Sequence, residues 1–272
     1  GSKYYETPNI DKLSKSGITF LNGYASSANC APSRATMMSG KYHPSHGIYT
    51  VSPSERGLDL TRKIIPTKNT ENLSLDFFTI AEMLKSKGYV NAHVGKWHLG
   101  KKGHYPKDQG FDVNIGGWES GGPRGGYFSP YSNPNLENGP EDEYLTDRLT
   151  NEAVNFIDDN KDSKFFLHLA FYSVHTPIQS KKEYSNYFKN KTSDKNHNRA
   201  DYAGMIRSLD ENVGKVLSKI EELNLTENTL IIFTSDNGGI RSISNQYPLR
   251  AGKGSYYEGG IRVPLIFSWK GK

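Results

Sequence analysis

The chain has 272 residues, with 34 Lys and Arg against 29 Asp and Glu, a formal net charge of +5. Mean hydropathy is −0.69, and no apolar run approaches the about 20 residues of a membrane-spanning helix; a single cysteine excludes a disulfide scaffold. The basic residues are scattered, with only short runs such as Lys101-Lys102 and Lys181-Lys182, so a nucleic-acid partner is not expected.

Thr7-Pro8-Asn9-Ile10-Asp11 predicts a helix start and Gly17 its stop, followed by a short strand at 18–20. Leu75, Phe77, Ala81 and Leu84 recur at helical spacing up to Gly88, and 89–94 reads as a strand. Residues 114–140 are too rich in Gly, Pro, Ser and Asn for regular structure, which predicts a long functional loop. Leu145, Leu149, Ala153, Phe156 and Ile157 mark an amphipathic helix before a strongly apolar strand at 165–172. A third helix carries Met205, Leu209, Val213, Val216 and Ile220, and strands at 230–234 and 263–268 follow. Apolar strands alternating with helices predict an α/β fold, a mainly parallel sheet sandwiched by helices, in one domain over 1–272. In such sheets ligands bind beyond the carboxyl ends of the strands, here 95–103, 173–179 and 235–240.

The chemistry-bearing residues cluster in or near those loops. Cys30 opens Cys30-Ala31-Pro32-Ser33-Arg34. Most lone cysteines are small buried residues. The alternative is a nucleophile at a helix N-terminus, where backbone N–H groups favour an anion, with Arg34 one turn along facing the same ligand. Lys96 and His98, two apart beyond a strand, suit an anion pocket, and His175 follows a second strand in the same way. Lys253 lies between glycines that let a loop approach a ligand, or is a surface lysine. Asp236-Asn237 offers adjacent oxygens for a hard cation such as Ca2+, or forms an Asx turn.

Cys30-Ala31-Pro32-Ser33-Arg34 through Ser39-Gly40 resembles the signature of type I sulfatases, of the alkaline phosphatase-like superfamily, in which the cysteine becomes Cα-formylglycine. Further blocks resemble that family in order: Thr7 to Leu13, Gly95-Lys96-Trp97-His98-Leu99-Gly100, Val174-His175-Thr176-Pro177, Thr234 to Gly239, and Gly252-Lys253-Gly254 through Pro264. The resemblance implies a sulfuric ester hydrolase acting on a sulfated oligo- or polysaccharide. It implies that hydrated formylglycine at position 30 attacks sulfur while Ca2+, Arg34 and Lys96 stabilise the sulfuryl oxygens. It implies that His175, with Lys253, protonates the leaving alcohol, and that His98 assists release of sulfate. Asp236 and Asn237 are the metal ligands implied. A formylglycine-generating maturation enzyme and export to the periplasm, lysosome or extracellular space are implied as well. A phosphodiesterase or phosphonate monoester hydrolase of the superfamily, and a non-catalytic anion-binding relative, are the alternatives.

Two features depart from the family pattern. The acidic metal-binding pair that precedes the first helix, with its strand, and a C-terminal subdomain are expected to be missing, as if the chain were truncated at both ends. Within the long loop, Trp118, Arg124 and Tyr127 are the candidate substrate-binding residues, since aromatic faces stack on sugars and Arg pairs with anionic substituents. The alternative is a loop whose aromatics form its own core.

Overall fold

The structure, a computed structural model, describes residues 2–55, 57–194 and 196–272. Helix α1 spans Pro8–Lys15, with proline in its first turn. Thr7 does not cap it; the buried Asp210 carboxylate instead accepts from the N–H groups of Asn9 and Ile10, at 3.1 and 2.8 Å. Strand β1 is Ile18–Thr19, α2 is Cys30–Ser39 and α3 is His43–His46. Helix α4, Ile80–Lys85, begins later than the spacing from Leu75 predicts, because Thr79 and Glu82 form a reciprocal capping box there. Strands β2 (Val90–Gly95) and β3 (Val113–Ile115), helix α5 (Leu145–Asp159) and strand β4 (Phe165–Ala170) follow. Helices α6 (Lys182–Lys189) and α7 (Ala200–Glu222) lead to β5 (Ile231–Thr234), α8 (Glu258–Ile261) and β6 (Leu265–Ser268).

Among the described residues the strands form two sheets of three. In the order β3-β2-β4 every pairing is parallel, so the carboxyl ends of β2 and β4 lie side by side, with Gly95 opposite Ala170. The second sheet, β1-β6-β5, is antiparallel throughout, so parallel pairing is confined to the first. The α/β class holds.

The α2 helix lies against the end of β2. Its Ala31, Ala35 and Met38 join Trp97, Leu99 and Phe111 in one buried cluster, which sets Cys30 and Arg34 beside the turn that follows β2. A second cluster joins Val94 to Tyr127, Tyr131, Leu145, Leu149, Tyr172 and Met205. It shows how residues 116–140, which hold no helix or strand, stay ordered. Tyr127 and Tyr131 are buried, on the order of 2 kcal/mol each from their apolar area, while the Asn133 and Asn135 amides donate to the carbonyls of Gly116 and Gly117 at 2.9 and 2.7 Å.

Candidate active site

Helix α2 starts at the cysteine because Asn29 before it is extended (φ −134°, ψ 154°), and Pro32 falls in the first turn, where a missing N–H costs no bond. Ser33 ties that turn to the chain leading into it, accepting from the Ser27 N–H at 3.1 Å and donating to the Ser27 carbonyl at 2.9 Å. Cys30 is a free thiol, 2% exposed. The Lys253 ammonium lies 3.1 Å from its Sγ. That loop is fixed by Lys253 N–H to the Gly239 carbonyl and Gly254 N–H to the Ala28 carbonyl, both 2.9 Å.

One turn into α2, the buried Arg34 guanidinium holds the turn after β2. Its Nε donates to the Trp97 carbonyl at 2.7 Å and its Nη2 to the Lys96 carbonyl. Its Nη1 is 3.6 Å from Asp236 Oδ2, and Lys96 Nζ is 3.4 Å from the same oxygen. Burial alone would raise the Asp236 carboxyl, but Lys96, Arg34 and Lys253 outweigh it and bring it down to about 2. Three cations thus face one carboxylate, a desolvated pocket two positive charges in excess and suited to an anion.

Two imidazoles border this pocket. His98 has a left-handed backbone (φ 61°), uncommon for a non-glycine residue, held by its N–H to the Trp118 carbonyl at 3.0 Å. Burial, reinforced by Lys96 and Arg34, pushes its imidazole down to about 3, so it is neutral at pH 7. His175 Nδ1 donates to the Thr176 carbonyl at 2.7 Å, which leaves Nε2 the bare nitrogen of the neutral ring. Burial lowers its titration, the Thr176 bond opposes that, and Lys96 and Lys253 lower it further. Gly121 and Gly122 let the loop run against both rings: a Cβ at Gly121 would sit 2.6 Å from His98 Nδ1, and one at Gly122 3.2 Å from His175 Nδ1. Sequence reading missed this lining role, although the Gly-Gly pair was its visible trace.

Asp236 and Asn237 follow β5 directly. The Asn237 amide donates to the Gly238 carbonyl at 2.9 Å, while its buried Oδ1 has no hydrogen-bond partner among the described residues. An orphaned carbonyl oxygen beside an ionised carboxylate fits a hard cation such as Ca2+. It is a partial site, since no group of three His, Cys, Asp or Glu side chains arranged for a metal exists among the described residues.

The loop residues separate. Tyr127 is fully buried, its hydroxyl shared between the carbonyls of Tyr172 (2.7 Å) and His175 (2.9 Å), so it presents no face to a sugar and instead braces His175. Tyr127 is therefore corrected from a substrate-binding residue to a core residue, packed with Tyr131 in the buried cluster around Val94. Trp118 is 6% exposed and covered by the Arg124 guanidinium, 5.0 Å from the ring centroid. Arg124 is exposed at the loop tip and forms no ion pair among the described residues.

The sulfatase family model matches residues 1–272. The chain is 34% identical over 331 residues to a sulfatase of Formosa agariphila, covering all of this chain and 59% of that protein. It is 31% identical over 301 residues to the N-acetylgalactosamine-6-sulfatase of Mus musculus, covering all of this chain and 54% of that protein. The crystal structure of Ps i-CgsB in complex with k-i-k-neocarrahexaose superposes with a TM-score of 0.81 at 36% identity, over all of this chain and 62% of that one. The chain thus spans somewhat over half the length of these relatives. With a matching family model over its whole length and the α/β fold of solved sulfatases, the chain belongs to the sulfatase family.

Proposed function

We propose that the protein of which this chain forms a catalytic domain hydrolyses the sulfate esters of a carbohydrate, with Cys30 matured to formylglycine by a dedicated enzyme. The observation that carries the reading is the Lys253 ammonium 3.1 Å from Cys30 Sγ, beside the buried Arg34–Asp236–Lys96 cluster. It supports a nucleophilic role for position 30, because an anion formed there would meet the Lys253 ammonium beside a cluster of positive charge. The relatives point to carbohydrate: one is an N-acetylgalactosamine-6-sulfatase and another was solved with a neocarrahexaose.

Formylglycine, once hydrated, supplies a nucleophilic hydroxyl and a second hydroxyl for release of sulfate. Asp236 and the free Oδ1 of Asn237 would hold part of a Ca2+ shell, a Lewis acid toward sulfuryl oxygen. Arg34 and Lys96 bind the non-bridging oxygens. The guanidinium is already fixed by the Trp97 and Lys96 carbonyls, so it needs no reorganisation as charge develops. Lys253 lies next to the nucleophile and close enough to stabilise it as an anion. His175 is assigned to proton transfer at the leaving oxygen, because its Nδ1 is committed to the Thr176 carbonyl and Nε2 is the free nitrogen. Burial and the charges of Lys96 and Lys253 disfavour its imidazolium, whereas the negative charge of a sulfate ester opposes those cations and favours the imidazolium that can donate. His98, neutral, is assigned to accept a proton from the second hydroxyl. Export from the cytoplasm belongs to this reading.

The test is turnover by the matured full-length protein of sulfated oligosaccharides against matched phosphate esters, with peptide mass spectrometry at position 30. Preferential sulfate release that disappears in Cys30→Ala is expected. Sulfate release undiminished in that variant, or a preference for phosphate esters, would overturn the reading.

A further inference from the structure

Below the anion pocket lies a pair of histidines that the mechanism does not use. His93 on β2 and His168 on β4 are register partners across the parallel pairing, and their Nδ1 atoms are 3.0 Å apart. The hydrogen bonds define where the protons are. His93 Nε2 is 3.1 Å from the Gly95 carbonyl, which can only accept, so Nε2 carries the hydrogen. Neutral His93 then has a bare Nδ1, and His168 Nδ1 must be the donor toward it. The opposite tautomer of either ring would place two hydrogens, or two lone pairs, face to face.

His93 touches the framework of the site on several sides. Its bond to Gly95 fixes the last residue of β2, directly before Lys96. Gly95 has φ 102° and lies against the Ala170 carbonyl with no room for a side chain, while the Lys96 N–H donates to that same carbonyl at 2.7 Å. The ring meets Trp97 edge-on at 5.1 Å, and Trp97 is the residue whose carbonyl receives Arg34 Nε. A Cβ at Gly117 would be 2.6 Å from His93 Cδ2, so the ring also supports the segment whose next residue, Trp118, holds the His98 backbone.

We infer that His93 is a positioning residue for the anion pocket: with its tautomer fixed by His168, it aims Lys96, Arg34 and His98 through the carbonyl of Gly95 and the contacts with Trp97 and Gly117. The role rests on the sulfatase reading for its effect on turnover, but not for its effect on anion binding. The charged or titratable groups that act on the pair are Arg34, from α2, and each other. Burial, together with that guanidinium, keeps both rings neutral, His168 down to about 3, so the arrangement persists across the working pH range.

The experiment uses the full-length protein in five forms: wild type, His93→Phe, His93→Gln, His168→Phe, and the double His93→Phe/His168→Phe. Exchanging both rings leaves neither imidazole nitrogen facing an unpaired one and removes only the donor to the Gly95 carbonyl, so the double variant separates most of the stability cost of breaking the pair from positioning. Expected are a thermal midpoint near wild type for the double variant, inorganic sulfate bound at least tenfold more weakly by calorimetry, and kcat down at least tenfold with KM within about threefold. His168→Phe should show the same losses although His93 is intact, and His93→Gln, which keeps a donor for the Gly95 carbonyl, should regain part of them. Nitrogen-15 spectra of the wild-type imidazoles should show His93 protonated at Nε2 and His168 at Nδ1, unchanged from pH 5 to 8. Wild-type sulfate affinity in the double variant, or His93 protonated at Nδ1, would overturn the inference. Absence of sulfatase turnover in the wild type would instead count against the sulfatase reading, with the sulfate-binding and tautomer results still deciding the role of His93.

Discussion

Replacing Asp236 with Asn removes the carboxylate that, alone among the described residues, lies within ion-pair distance of both Arg34 and Lys96, at 3.6 and 3.4 Å. At an effective dielectric of about 20, charges that close attract by about 5 kcal/mol each, most of which is offset by desolvation. The carboxyl itself gives a tighter figure. Bringing it from 3.8 to about 2 corresponds to about 2.5 kcal/mol in favour of the ionised folded state. The sign follows from linkage: a depressed carboxyl stabilises above its unfolded value, near pH 4, and the contribution is lost as pH falls through about 2. Asp236→Asn at pH 7.5, with calcium chelated, should therefore lose about 2–4 kcal/mol, a shift of roughly 1 M in the urea midpoint. Because the variant leaves two buried cations unpaired, inorganic sulfate should restore more of its stability than it adds to wild type, by binding at least tenfold tighter. Equal urea midpoints together with equal sulfate affinities would refute the account of this pocket as a cation cluster held by one carboxylate.

Gly121→Ala should displace the His98 ring, since its Cβ would lie 2.6 Å from Nδ1; kcat for a sulfated substrate should fall at least tenfold while urea stability changes by less than about 1 kcal/mol. Tyr127→Phe removes the hydroxyl that bridges the Tyr172 and His175 carbonyls and should cost about 1–2 kcal/mol in denaturant titration, with loss of turnover through His175. Arg124→Ala should raise KM for a multiply sulfated oligosaccharide about tenfold, equivalent to about 1.4 kcal/mol; an unchanged KM would remove the loop tip from the binding surface. On acidification, His46, His98 and His168 are neutral in the fold down to about 4, 3 and 3 but take up protons near 6.5 when unfolded, so stability should fall steadily below pH 6.5 in a pH series of urea titrations.

Local spacing made part of this site legible. Arg34 at i+4 from Cys30, Lys96 two before His98, and adjacent Asp236 and Asn237 each follow from the geometry of one helix or one strand end. The approach of Lys253 to Cys30 does not, because 223 residues separate them and long-range loop bonds, among them those to Gly239 and Ala28, bring them together. Tyr127 shows a different limit. An aromatic in a Gly- and Pro-rich loop reads alike whether it faces a sugar or its own loop's core, and the deciding bonds go to Tyr172 and His175, about fifty residues away. Helix α6 escaped notice because only Ser185 and Phe188 of its eight residues are buried, too few to show a period. The start of α4, by contrast, was written in Thr79-x-x-Glu82, and the capping pair outranked the apolar spacing from Leu75.

The burial of Cys30 has a bearing on chronology. A thiol 2% exposed at the first residue of α2, with Lys253 against its sulfur, cannot enter the cleft of another enzyme unless the first turn of that helix and the Lys253 loop both come apart. The Ser27–Ser33 bonds and the two loop bonds would have to break together. On the proposed reading, conversion of this residue belongs to the interval before the chain closes, and adding a maturation enzyme to protein already folded with its thiol intact should restore nothing until the chain is unfolded again.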